Sequence, residues 1–147
     1  MSRDRDASVD DPPALPGACV AVPQVKNEVR SPDGAMRWEV ETHLVAGLDL
    51  DGHGSPVVLV PPADTELTLD QMYWTLYLMR GECGHELGIV EGLEDPTLEA
   101  GESHGLRNIS TLRPSSNAPA DRPLGNLVQT RYTFDGQQYR AGKNRQR

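Results

Sequence analysis

Long apolar runs, net positive charge, cysteine and aromatic rings are all scarce in this 147-residue chain, and each shortage narrows what it can do. No stretch approaches the roughly 18 consecutive apolar residues of a membrane-crossing helix, so no membrane span is expected. The formal net charge is −8 and the sequence pI is about 4.9. Such a chain repels phosphate backbones, and nucleic acid is not an expected partner. Its one basic run, Arg140 to Arg147, holds Lys143, Arg145 and Arg147 and reads as a solvated tail. Two cysteines permit one bridge at most. Cys19 and Cys83 would be joined in an exported protein and free in a cytoplasmic one.

Hydrophobic residues make up 37%, against roughly 45–50% (glycine included) for a typical soluble domain. Gly 14 and Pro 12 predict many turns. The length suits one domain with one modest core. Met1 to Asp11 is polar and charged without an apolar stretch, so it does not form a signal peptide as it stands; a trimmed leader is the alternative. Residues 1–33, with Pro12, Pro13, Pro16, Pro23 and Pro32, read as a flexible arm with a short extended piece at Cys19 to Val22. The two tryptophans, four tyrosines and one phenylalanine all come later, in or beside strand-like segments.

Met36, Trp38, Val40 and Thr42 alternate with Arg37, Glu39, Glu41 and His43, the period-two pattern of a half-buried strand. Val57 to Val60 is a short apolar run between Pro56 and Pro61, expected as a buried strand, and Pro61 to Asp70 follows as a loop. Met72 to Arg80 is apolar on both faces, which predicts a central strand, with His85 to Glu91 returning as its hairpin partner. Leu106 to Leu112 is a weaker strand, Arg113 to Gly125 a loop, and Asn126 to Phe134 alternates again. Asp135-Gly136 is a hairpin turn before a last strand at Gln137 to Arg140. Only Asp64 to Tyr73 offers a helix start, and the strand-like continuation argues against it. The expected fold is mostly β, an antiparallel meander, sandwich or small barrel over residues 34–140, with a disordered N-terminal arm and a basic disordered tail at 141–147.

One segment carries legible chemistry. In Asp49-Leu50-Asp51-Gly52-His53-Gly54, oxygens at alternating positions of a Gly-bent loop converge on one point, as in loops that hold Ca²⁺. The segment resembles the Asp-rich loop of FG-GAP and VCBS-type repeats, which bind calcium between strands. The resemblance extends to small uncharacterised bacterial β-rich proteins through Arg80-Gly81-Glu82-Cys83-Gly84 with Gly88, His104-Gly105-Leu106-Arg107, and Tyr132-Thr133-Phe134-Asp135-Gly136 with Tyr139. It implies a small β domain, often exported, and no particular activity. It makes Asp49, Asp51 and His53 the candidate metal residues and calcium the candidate cofactor. The chain departs from the pattern at the fifth, ninth and twelfth positions, where His53, Val57 and Val60 stand for the usual oxygen ligands. Carbonyls, water or Glu41 would have to complete the shell. The alternative is a tight turn, with glycine for positive φ and aspartate for local hydrogen bonds.

Other constellations are weaker. His43, His53, His85, His104 and Cys83 do not show zinc-ligand spacing, except that Cys83 and His85 share a turn. Ser103-His104 lacks a separate base and a strained Gly-x-Ser-x-Gly elbow. Glu82, Glu86, Glu91, Glu94 and Asp95 look like the solvated polar side of a hairpin rather than a glycosidase carboxylate pair. The reading that follows is a non-enzymatic β domain without catalytic residues, exported to the periplasm or beyond, that binds a protein partner or builds a structure. A cytoplasmic accessory or inhibitor protein and a metal-dependent enzyme are the alternatives.

Overall fold

The computed structural model describes residues 14–63, 66–114 and 127–146. Among the described residues, eleven strands and one short 3-10 turn run in the order β1 (Lys26–Arg30), β2 (Arg37–Glu41), β3 (His43–Val45), β4 (Val57–Val60), β5 (Leu67–Thr68), the 3-10 turn Leu69–Gln71, β6 (Tyr73–Arg80), β7 (Cys83–Glu91), β8 (Thr97–Ser103), β9 (Leu106–Pro114), β10 (Leu127–Phe134) and β11 (Tyr139–Gln146). The fold is mostly β, as the alternation predicts. Its strands form three sheets, β2-β1-β5, β3-β4-β6-β7 and β11-β10-β9-β8, and do not close into a barrel. Pairing is antiparallel throughout except between β1 and β5.

β6 is an inner strand, between β4 and β7, and this is why both its faces are apolar. Trp74, Leu76 and Leu78 face the core at 3%, 0% and 0% exposure, opposite Val90, Leu59 and Val57 in register. The opposite face carries Tyr73, Thr75, Tyr77 and Met79. β10 contributes Tyr132 and Phe134, and β11 contributes Tyr139, to the same core cluster. The turn between them forms as expected: Gly136 has φ 99, and Asp135 accepts the Gln137 and Gln138 amides at 2.8 Å each.

Four segments differ from the sequence expectation. β1 lies inside the stretch expected as a flexible arm and buries Val29 completely. Its other residues are polar or charged, so periodicity hides it; pairing with β2 on one side and β5 on the other makes it the middle strand of its sheet. β5 and most of the 3-10 turn fall within the expected 61–70 loop, where Leu67 and Leu69 reach the core. β8, Thr-Leu-Glu-Ala-Gly-Glu-Ser, is too polar to read as a strand and forms by backbone pairing with β9. β11 extends through the expected disordered tail to Gln146, paired with Val128 of β10, because ladder bonds need no apolar side chain. Most of the expected 113–125 loop, and Asp64 and Thr65 at the start of the 64–73 segment weighed as a helix, lie outside the described residues.

Gly92 joins two of the sheets. Its amide donates to the Met72 carbonyl at 3.0 Å, and its own carbonyl accepts the buried Trp74 indole N–H at 2.7 Å. Its φ is 125, and a Cβ there would stand 2.6 Å from the Leu112 carbonyl oxygen on β9. Only glycine meets both conditions. Gly92→Ala should therefore cost roughly 1–3 kcal/mol or more, read as a lower urea midpoint at unchanged slope. Gly54→Asn, at an open position of φ 73 that asparagine tolerates, should cost less than about 1 kcal/mol. Equal costs at the two positions would contradict this role for Gly92.

Candidate functional site

The Asp49–Gly54 loop connects β3 to β4 and is bent by left-handed glycines, Gly52 at φ 75 and Gly54 at φ 73. Leu48 and Leu50 anchor it in the core, and the Leu50 carbonyl accepts the Arg107 amide from β9 at 2.8 Å. The Asp49 carboxylate accepts the Gly54 amide at 3.0 Å. Asp51 points the other way, into the protein, with no exposed side-chain surface.

Burying a carboxylate is costly unless its oxygens are met by donors. One oxygen of Asp51 accepts the His53 amide at 2.9 Å. The other accepts the Ser55 hydroxyl at 2.5 Å and the Arg80 guanidinium at 2.9 Å. The same guanidinium nitrogen donates to the Ser55 oxygen at 2.8 Å, so the three side chains close a small network. Burial alone would raise the Asp51 carboxyl; the Ser55 hydroxyl, the His53 amide and Arg80 outweigh it and lower its pKa to about 2. Arg80 comes from the end of β6, so the loop is tied by charge to an inner strand of the four-stranded sheet.

The two candidate carboxylates are therefore turned to different partners, Asp49 to a backbone amide and Asp51 to Arg80. The His53 side chain is exposed and only its amide joins the network. Val57 and Val60 are core residues of β4, at 0% and 6% exposure. Among the described residues, no group of three or more His, Cys, Asp or Glu is arranged around a common point. The loop has the Asp and Gly roles of a tight turn.

Cys19 and Cys83 form a disulfide across a separation of 64 residues, with Cα atoms 5.3 Å apart. Beside it, Val20 and Gly84 exchange backbone hydrogen bonds of 2.9 and 2.7 Å, which adds the 19–22 segment to the free side of β7. Cys83 is therefore no thiolate ligand, and His85 faces the Pro16 carbonyl at 3.1 Å instead. Ser103 ends β8, and its hydroxyl meets Asn108; His104 occupies the following turn at φ 51. Glu82, Glu86, Glu91, Glu94 and Asp95 are all exposed.

A second locus has no signal in local spacing. His43 and Asp95, 52 residues apart in sequence, meet at 2.7 Å through Nε2, while His43 Nδ1 lies 3.0 Å from the Glu41 carbonyl. The imidazole and the Trp74 ring meet in a T-shaped contact, centroids 5.0 Å apart at 87°. Burial disfavours the His43 charge, yet Asp95 and the Glu41 carbonyl outweigh it and raise the pKa. Beside this pair opens a groove of about 550 Å³ that runs along β2 and is lined by Trp38, Val40, Trp74 and Leu93.

No protein-family model, no curated protein and no solved structure matches the chain.

Because the fold depresses the Asp51 carboxyl, its contribution is complete above the unfolded value near pH 4 and is lost as pH falls toward 2. The shift is worth about 2 kcal/mol, and removing the charge also takes the buried carboxylate away from Arg80. Asp51→Asn should lose roughly 2–4 kcal/mol at neutral pH and flatten the acid limb of a stability–pH curve from urea melts. Part of that limb should remain, because the Asp135 carboxyl is likewise held at about 2 by the Gln138 and Gln137 amides and Arg140. An unchanged acid limb in the variant would contradict the Asp51 assignment. With Asp51 committed to Arg80, millimolar calcium should leave the thermal midpoint where a chelator leaves it. A calcium-dependent rise abolished by Asp49→Asn would return the loop to the metal reading.

Proposed function

We propose that this chain is a non-enzymatic, disulfide-stapled β domain that acts by binding a protein partner in an oxidising compartment. The observation that carries the reading is the outer face of the β3-β4-β6-β7 sheet. Leu44 of β3 is 63% exposed and Ile89 of β7 is 49% exposed. In register, Leu44 lies opposite Val58 and Val58 opposite Tyr77; Thr75, two residues from Tyr77 on the same strand face, lies opposite Ile89. Leu44, Val58, Tyr77 and Ile89 thus share one face, on which Leu44 and Ile89 are exposed, Val58 is half-buried and Tyr77 is buried at 7%. Two large apolar side chains exposed on one sheet face support an interaction surface there, whereas isolated exposed leucines are ordinary.

The Cys19–Cys83 bridge supports the compartment, because disulfides persist where thiols are not kept reduced. The acidic network at Asp51 and the turn at Asp135 are occupied by structural hydrogen bonds, which favours binding over chemistry. A cytoplasmic inhibitor would bind a protein as well, but the bridge favours export.

A photo-cross-linking residue placed at Leu44 or Ile89, in the organism that makes the protein, should give one discrete heavier adduct from both positions. The same residue at Glu102, on β8 of a different sheet, should give none. If neither Leu44 nor Ile89 yields a discrete adduct, or if Glu102 yields the same one, the apolar face is not the binding surface.

A further inference from the structure

β2 is the outermost strand of its sheet, hydrogen-bonded to β1 on one side only. The groove described above follows its other side, so it can receive an extended chain along a free strand edge. Its apolar lining is Trp38, Val40, Trp74 and Leu93: Trp38 is half-buried, and Trp74, 3% exposed, is held rigid by the Gly92 carbonyl. Trp38 and Trp74 are both of the chain's tryptophans.

The rim decides what such a chain must carry. Glu39 and Glu41 stand on the β2 side, and Glu94 and Asp95 on the loop between β7 and β8, all four exposed. His43 is the only basic side chain that lines the groove among the described residues. His43 also displays the geometry the groove favours, a planar cation-forming ring against tryptophan with a carboxylate at 2.7 Å. A lysine or arginine from another chain would find the same two elements, an aromatic wall and carboxylates, at Trp38.

We propose that the groove along β2 docks an extended, lysine- or arginine-bearing segment of a protein partner, held by Trp38 and the Glu39, Glu41 and Glu94 carboxylates. This surface is separate from the apolar face of Leu44 and Ile89, and neither reading requires the other.

Because Trp38 lines the groove and is partly exposed, tryptophan emission reports its occupancy. The probe is a short synthetic peptide of alternating arginine and glycine, titrated into the intact protein, with a glutamate-for-arginine peptide and spermine as comparisons. The arginine peptide should change tryptophan emission saturably and the glutamate peptide should not. Glu39→Gln with Glu94→Gln should weaken the apparent affinity roughly five- to tenfold, while Glu82→Gln with Glu102→Gln, on other surfaces, should leave it unchanged. Circular dichroism of each variant checks that the fold is kept. No saturable response overturns the proposal. So does an equal loss in the remote pair, which would mean diffuse attraction to an acidic surface. Spermine acting as tightly as the peptide would make this an amine site and overturn the peptide assignment. Cross-linking at Leu44 and Ile89 is unaffected by any of these outcomes, so failure here is distinguishable from failure of the binding role itself.

Discussion

The contact on which most of this structure depends is the one between Trp74 and Gly92. Trp74 sits on an inner strand, its ring buried and its indole N–H donated to the Gly92 carbonyl. Gly92 in turn hydrogen-bonds Met72 and lies against the Leu112 backbone of β9, closer than any side chain would allow. One residue thereby fixes the spacing between two sheets and the orientation of a large aromatic ring. That ring is then the support for His43, and through His43 for Asp95 and the groove beside β2. A small domain with few aromatics gains specificity by fixing one of them from several directions.

The buried Asp51–Ser55–Arg80 network has a different character. An ion pair taken out of water gives little net stability, because desolvation opposes the attraction, yet removing one partner leaves the other stranded. Its effect here is positional. It holds the 49–54 loop against the end of β6, while Leu50 ties the same loop to β9. The disulfide does comparable work at the same end of the β6–β7 hairpin, on the β7 side of its turn, where it and the Val20–Gly84 pairing bring the N-terminal segment onto β7. Loop, hairpin and N-terminal segment are thus held by three chemically distinct links.

Much of the architecture was legible in the residues. Alternation in Met36–Thr42, the two-sided apolar run Met72–Arg80 and the Asp135-Gly136 turn each correspond to an element that forms. Periodicity works where a strand buries a row of side chains. It does not work for β1, which buries only Val29, or for β8, whose strand is made by its neighbour β9. The 49–54 loop was legible as a Gly-bent turn, and its two roles, metal loop or hydrogen-bonded turn, were both visible. The partner of Asp51 was not, because Arg80 lies 29 residues away and local spacing says nothing about it.

By itself the sequence determined the β character, the bends at Gly52, Gly54 and Gly136, the acidity, and the single possible disulfide. These follow from local stereochemistry, from the two-residue period of a strand and from composition, all of which are properties of short segments. Only the tertiary structure decided which carboxylate is buried against Arg80, which tryptophan supports His43, and that Asp95 and Glu41 reach the same groove. Those pairings join residues from distant strands, and their energies depend on burial and distance, which exist only once the sheets have packed.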